Sequence, residues 1–204
     1  MNESATDGAP VGIVLAAGAG RRMGGPKAIL EFQGMPLVAR AVRTAFAGGC
    51  GRVIAVLGAG AAEAEAAAEG AGAQVVVNQR WAEGMGTSLR TGLCTAVAHA
   101  PEALAALVLL VDQPYITPQA VAAVVSAWHD PRDPAVLASA VYDGRRGHPV
   151  LLGRAHWDAL LPTLTGDAGA RDYLHAHRGE LILVPCGTLA DPRDLDLPGD
   201  LPAD

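Results

Sequence analysis

The densest chemistry in the chain lies in Leu15–Lys27, which reads LAAGAGRRMGGPK. Its glycines let backbone N–H groups converge on anionic oxygens, and Arg21, Arg22 and Lys27 add fixed positive charge and directional donors. A triphosphate suits such a loop. The spacing is not that of a Walker A loop, because Ala28 rather than Ser or Thr follows Lys27. It is not GxGxxG either, because Gly18 and Gly20 are followed by Met23-Gly24. Asp112, in Val111-Asp112-Gln113-Pro114, closes an apolar run. A carboxylate there can hold Mg²⁺, which takes one or two protein carboxylates and fills its other positions with water and substrate phosphates. Alone, such an Asp is more often a turn former; opposite a phosphate loop it reads as a metal ligand. A third segment, Asn78–Leu89, leaves a strand through Gly84-Met85-Gly86 and offers free N–H groups and the Ser88 hydroxyl to a base or ribose. Its bland alternative has Thr87 or Ser88 capping the helix and Trp81 covering the core.

Three later segments join polar groups to turn formers. In Gly147-His148-Pro149-Val150 the residue before proline is extended and Gly147 permits close approach of a ligand. In Gly166–Arg171, Asp167 either meets a ligand or caps the helix carrying Arg171. Near the end, Asp194, Asp196 and Asp200 pair polar chemistry with a Pro-Gly turn and can be read as a solvated acidic turn. No Ser/His/Asp or Cys/His nucleophile constellation stands out.

The elements that must position these residues alternate along the chain. Val11–Leu15, Arg52–Leu57, Gln74–Val77, Leu107–Val111, Val136–Val141 and Leu181–Pro185 are continuously apolar and read as strands buried on both faces. Leu37–Ala47, Ala61–Glu69, Thr87–Ala98, Pro118–His129, Ala155–Leu161 and Ala170–His177 read as helices. Thr117-Pro118 is a cap-then-proline start. This is a βαβ rhythm, predicting an α/β, Rossmann-like fold with a mostly parallel central sheet and helices on both faces. The loop after the first strand and Asp112 then fall at the carboxyl edge of the sheet, where open α/β sheets bind ligands.

The 204 residues, 50% hydrophobic and 18% charged, suit one domain over 1–204 with residues 1–10 as a flexible N-terminus. A net charge of −6 and no basic stripe interleaved with aromatics argue against nucleic-acid binding. Gly12–Ala17 and Ala103–Val111 are far shorter than the roughly 20 residues of a membrane span, and the start MNESATDGAP lacks a signal layout. A cytoplasmic protein with no membrane partner is expected. Cys50, Cys94 and Cys186 are in neither disulfide nor zinc spacing.

With those motifs placed, the chain resembles the MobA-like nucleotidyltransferases and, within them, the molybdenum cofactor cytidylyltransferases. The likeness rests on LAAGAGRRMGGPK, NQRWAEGMGTSL, VDQP, RGHPVLL, GDAGARDYL and DLDLPGDL, in the family's order over nearly the whole chain. It implies Mg²⁺-dependent transfer of a cytidylyl group from CTP to the phosphate of molybdopterin, with a receiving molybdoenzyme or its chaperone as a further partner. It also implies roles. Leu15, Ala16, Ala17, Gly18 and Gly20, with Asn78, Gly84 and Ser88, bind the nucleotide. Arg22 and Lys27 lie on the phosphates, and Asp112 holds the metal with Asp194. His148, Asp167 and Arg171 reach the acceptor. Relatives more often read DIDTPED where this chain has DLDLPGD, with Leu197 and Gly199 at the changed positions. Cytosine-specific relatives tend to read LAAG and guanine-specific ones LAGG, so Ala17 favours CTP. A guanylyl- or sugar-nucleotidyltransferase of the same fold, or a non-catalytic cofactor-binding accessory protein, are the competing readings. An NAD-dependent dehydrogenase is disfavoured by the glycine spacing.

Overall fold

The apolar runs become the strands of one sheet. The central ones are buried on both faces as expected, but Gln74–Val77 and Ile182–Pro185, at its two edges, are largely exposed because each has a neighbour on one side only. The computed structural model describes residues 8–201. The expectation for the N-terminus therefore lies, over residues 1–7, outside the described residues. In chain order the elements are β1 (Val11–Ala16), β2 (Glu31–Phe32), β3 (Met35–Pro36), α1 (Leu37–Ala47), β4 (Arg52–Leu57), α2 (Ala61–Gly70), β5 (Gln74–Val77) and α3 (Met85–His99). They continue as β6 (Ala105–Leu110), α4 (Pro118–Ser126), β7 (Leu137–Tyr142), β8 (Arg145–Gly153), α5 (Trp157–Leu160), α6 (Arg171–Ala176) and β9 (Ile182–Pro185). Seven strands form the sheet in the order β5-β4-β1-β6-β8-β7-β9, and β2 and β3 make a separate small hairpin.

The sheet is mostly parallel. β1 pairs in parallel with β4 and β6, β4 with β5, and β7 with β9. Only β8 runs the other way, antiparallel to both β6 and β7. β8 was not expected as a strand; its first residues, Arg145-Arg146-Gly147-His148-Pro149, look like a turn. The chain builds outward from β1 to β4 and β5, then returns to the other side of β1 for β6. That reversal places a crevice between the carboxyl ends of β1 and β6.

Helices cover both faces. Val14 and Ala16 of β1 face a core shared with Leu37, Val38 and Val42 of α1, Ala64 and Ala68 of α2, and Val121 and Val124 of α4. Ile13 and Leu15 face a second core with Leu89 and Leu93 of α3, Trp157 and Leu160 of α5, and Leu174 of α6. This alternation is the two-residue period of a strand buried on both sides. α4 starts as its sequence suggested: Thr117 Oγ1 accepts the Ala120 N–H at 3.2 Å, and Pro118 opens the helix. Among the described residues no helix is long and apolar enough to cross a membrane.

Candidate active site

The glycine-rich loop leaves β1 and curls on itself. Gly20 is left-handed (φ +56°), and its carbonyl accepts the N–H groups of Met23 at 2.8 Å and Gly25 at 3.3 Å. A Cβ at Gly20 would lie 2.0 Å from the Gly25 carbonyl oxygen, so no other residue fits this curl. A 3-10 turn, Arg21–Met23, buries Met23 and leaves both arginines outside. A second, Lys27–Ile29, buries Ala28 and turns Lys27 back to the crevice.

There the Lys27 ammonium donates to Asp112 Oδ2 and to Asp196 Oδ1, both at 2.8 Å. Burial alone would lower the lysine pKa, but the two carboxylates more than offset it and hold the value above 10.5. Asp196 is held below the ordinary 3.8 by its hydrogen bond to Lys27 and that ammonium's charge. Arg22 adds a looser contact to Asp196, at 3.4 Å. Asp194 is pushed up instead, chiefly by burial and further by the charges of Asp112 and Asp196, against the help of the Gln113 amide.

A terminal segment, docked on the end of β6, brings in these last two carboxylates. Leu195 N–H donates to the Asp112 carbonyl at 2.8 Å, and the Leu195 side chain is fully buried. Asp194 and Asp196 flank it on the opposite, cleft-facing side, as extended backbone requires. Gln113 Nε2 donates to Asp194 Oδ1 at 2.9 Å and to the Pro192 carbonyl at 3.0 Å. Burying a leucine contributes about 1.5–3 kcal/mol, whereas an exposed pair such as Arg22–Asp196 contributes about 0–1 kcal/mol. Leu195 therefore docks the segment, and the Lys27–Asp196 and Gln113–Asp194 contacts hold its two carboxylates at the cleft.

This division predicts a pH signature. Asp196 has a lowered folded value, so its pairing stabilises fully above 3.8 and is lost as pH falls through that lower value. Lys27 has a raised folded value, so its share is complete below 10.5 and is lost as pH rises through that higher value. The thermal-midpoint gap between wild type and Asp196→Asn should thus be flat from about pH 5 to about pH 9 and shrink below 3.8. A gap that changes across neutral pH would contradict the pairing.

The crevice opens into a cavity of about 540 Å³. Of the expected nucleotide and phosphate residues, Leu15, Ala17, Gly18, Gly20, Arg22, Lys27, Gly84, Ser88 and Asp112 line it. Ala16 is buried in β1 and Asn78 lies behind the wall. Asn78 Nδ2 donates to Thr87 Oγ1 at 2.9 Å and Ser88 Oγ at 3.0 Å, while its Oδ1 accepts the Arg80 N–H at 2.9 Å. Its amide thus shapes the turn into α3. That helix begins at Met85, two residues before the expected Thr87, behind Gly84 rather than behind a hydroxyl cap. Trp81 and Met85, not singled out as site residues, also face the cavity.

A second cavity of about 670 Å³ adjoins the first and holds His148, Asp167, Arg171 and Asp194. Leu15, Met85, Leu110 and Asp167 border both. Asp167 does not cap α6, whose N-cap is Ala170; its Oδ1 lies 3.4 Å from the Met85 N–H. Burial holds the His148 imidazole down to about 4, against the pull of the Asp112 charge, so it is neutral at pH 7. Sequence reasoning missed Arg145 and Arg146 in this cavity and Asp196 as the partner of Lys27. The paired aspartates around a buried leucine were the available signal for Asp196.

Among the described residues no three His, Cys, Asp or Glu side chains form a ready-made metal cage. What converges is a carboxylate excess: Asp112, Asp194 and Asp196 against the half-buried Lys27 ammonium and the looser, exposed Arg22. Oxygen donors of that kind, few in number and beside an open cavity, suit a hard divalent cation that completes its shell with water or a ligand.

A cation-bearing glycine loop facing carboxylates at the switch point of a parallel sheet defines a nucleotide-binding α/β enzyme. The chain belongs to the MobA-like NTP transferase family, whose domain is matched by residues 12–181. It is 37% identical over 193 residues, 91% of each chain, to nicotine blue oxidoreductase of Paenarthrobacter nicotinovorans. Rv0371c of Mycobacterium tuberculosis H37Rv superposes with a TM-score of 0.79 at 27% identity, covering 97% of this chain and 96% of that one. Its complex with manganese superposes with a TM-score of 0.70 at 26% identity, covering 87% and 88%.

Proposed function

We propose that the protein transfers a cytidylyl group from CTP to the phosphate of a molybdopterin-type acceptor and releases pyrophosphate. The observation that carries the transfer reading is Lys27 bridging Asp112 and Asp196 beneath the glycine loop. The triphosphate lies along Ala17–Gly20, with Arg22 and Lys27 on its oxygens, and the base lies toward Trp81, Gly84 and Ser88. Ala17 is the residue that favours cytosine. The acceptor occupies the second cavity, against His148, Asp167 and Arg171, and the cofactor is delivered onward to a molybdoenzyme or its chaperone.

A phosphomonoester, with a second pKa of about 6, is already an anionic nucleophile at pH 7, so no protein base is needed. Neutral His148 then donates or accepts a hydrogen bond without adding charge. Lys27 and Arg22 stabilise the charge that builds on the leaving pyrophosphate, and the shared wall of Leu15, Met85, Leu110 and Asp167 sets the two substrates end to end. Asp112, with Asp194 or Asp196, would hold a divalent cation, Mg²⁺ in this reading. When bound, the cation supplies positive charge to the phosphate oxygens. The manganese complex of Rv0371c supports divalent-metal use.

The relative named as nicotine blue oxidoreductase favours a second reading, redox chemistry in the same cleft. Neither cavity is lined by a cysteine, and burial pushes the Cys50 thiol up to about 12. Electrons would have to arrive on a bound cofactor. The deciding experiment follows pyrophosphate release with CTP, GTP or ATP, with Mg²⁺, with and without molybdenum-loaded molybdopterin. A parallel reaction holds nicotine blue and a reduced nicotinamide dinucleotide. Release with CTP and acceptor alone is expected; GTP preference moves the assignment to a guanylyl transferase. Turnover of nicotine blue without pyrophosphate release overturns the proposal in favour of the oxidoreductase.

A further inference from the structure

The second cavity carries more guanidinium charge than the proposed acceptor contacts use, which call on Arg171 alone. Its floor is apolar, formed by Leu89, Val108, Leu110, Leu152 and Leu174. Its rim carries Arg145, Arg146 and Arg171. Arg22, Arg52, Arg80 and Arg193 have carboxylate partners, whereas Arg132 and Arg178 on the open surface have none among the described residues, so it is convergence on one apolar cavity that sets the rim arginines apart. Among the described residues the three rim arginines have no salt bridge and no side-chain hydrogen bond. Asp167 and Asp194 share the lining, but Asp194 is held by the Gln113 amide and Asp167 lies at the boundary with the first cavity. Guanidinium groups outnumber carboxylates, and their natural complement is an anion.

The arm bearing two of these arginines is braced. The β7–β8 register jumps at Ser139/Ala140, from Val150 opposite Ser139 to Gly147 opposite Ala140, which leaves His148 and Pro149 bulged from the ladder. Ser139 Oγ donates to the Gly147 carbonyl at 3.0 Å, and the Tyr142 hydroxyl donates to the His148 carbonyl at 2.8 Å. A Cβ at Gly147 would meet the Tyr142 ring at 3.1 Å. Bulges of this kind re-aim side chains beside a site. The arm also lies apart from the phosphate loop. Arg145, Arg146 and Arg171 do not line the first cavity, and Lys27 and Asp112 do not line the second.

We infer that Arg145, Arg146 and Arg171 form an anion subsite, so the second substrate is an apolar or aromatic-bodied molecule bearing an anionic group besides the phosphate that reacts. The inference deepens the transfer reading and rests on it for the word substrate; the anion subsite itself does not. The planar fork of arginine suits a carboxylate, sulfonate or second phosphate at this rim.

The test uses two fluorescent probes, anilinonaphthalenesulfonate and its uncharged analogue phenylnaphthylamine. Each is titrated at low salt into wild type, Arg145→Gln/Arg146→Gln and Arg171→Gln, with thermal unfolding as the check on folding. The sulfonate dye should lose about tenfold or more in affinity in the double variant, with a smaller loss in Arg171→Gln, while the neutral dye shifts by less than about twofold. An unchanged sulfonate dye, or equal losses for both dyes, overturns the inference. CTP with Mg²⁺ is titrated separately into wild type, read by intrinsic tryptophan fluorescence, in which Trp81 is the one of the three tryptophans that lines the first cavity. If CTP fails to bind while the dye contrast holds, the transfer reading falls and the anion subsite stands. If the dye contrast fails, the subsite falls whatever CTP does.

Discussion

Asp112→Ala should slow pyrophosphate release by about 10²–10³-fold or more, with the fold intact. The side chain lies at the cleft, 24% exposed, and among the described residues its hydrogen-bond partner is the Lys27 ammonium. Removing it leaves Lys27 held by Asp196 alone, on a segment that is itself docked rather than built into the sheet. It also halves the carboxylate pair, Asp112 and Asp196, that lines the first cavity. Stability is affected little, because what the terminal segment takes from position 112 is the backbone carbonyl, which accepts the Leu195 N–H and survives the substitution. The measurement is single-turnover pyrophosphate release with CTP and acceptor, beside far-ultraviolet circular dichroism and thermal unfolding. Asp112→Asn separates charge from shape, since its side-chain oxygen can still accept from Lys27 while the charge is gone. Full activity in both variants would remove Asp112 from the mechanism. Loss in Asp112→Ala with retention in Asp112→Asn would make it a holder of Lys27 and nothing more.

The half of the site that follows β1 was legible in the sequence because its signals are local. Glycines, cations and a strand end fall within Leu15–Lys27, and the curl at Gly20 needs only neighbours such as Gly25. β1 and β4 were legible for a related reason: a strand buried on both faces has few polar residues to blur it, whereas β5, at the sheet edge and part exposed, was legible from its run of three valines. β8 was not. It opens with two arginines and carries a glycine and a proline, all of which argue against a strand when read alone. It exists because β6 and β7 pair with it along the ladder. Lys27 is a similar case. Its partners lie 85 and 169 residues away, and no spacing rule reaches so far. The choice between Asp194 and Asp196 as its partner depends on how Leu195 inserts, which is a matter of packing. Asn78 shows the converse. A polar residue at a strand end looked like a ligand contact, but its amide holds the strand-to-helix turn that presents Ser88 to the cavity.

That turn is also where stability and function meet, and Gly84→Ala should expose the coupling. Gly84 has φ +116° and ψ 172°, a region essentially closed to residues with a side chain. A Cβ there would lie 2.3 Å from the Gly166 carbonyl carbon and 2.7 Å from Asp167 Oδ1. Backbone strain of about 1–3 kcal/mol adds to a clash with main chain, which cannot rotate away as a flexible side chain would. A loss of about 3 kcal/mol or more is expected, or a thermal midpoint lower by about 6–12 °C at this chain length. Gly179→Ala is the control: its φ is ordinary and nothing approaches a Cβ there, so its midpoint should barely move. Relief of the clash pushes residues 165–169 away from α3 and breaks the hydrogen bond from the Gly86 N–H to the Gly166 carbonyl, now 2.8 Å. Asp167 and Met85 border both cavities, so the same displacement should raise KM for nucleotide and acceptor together. A low midpoint with unchanged KM values would mean that the Gly84–Gly166 contact secures the fold without shaping the cleft. An unchanged midpoint would mean that the loop does not rest against α3 in solution, and the shared wall between the two subsites would have to be sought in Leu15 and Leu110 alone.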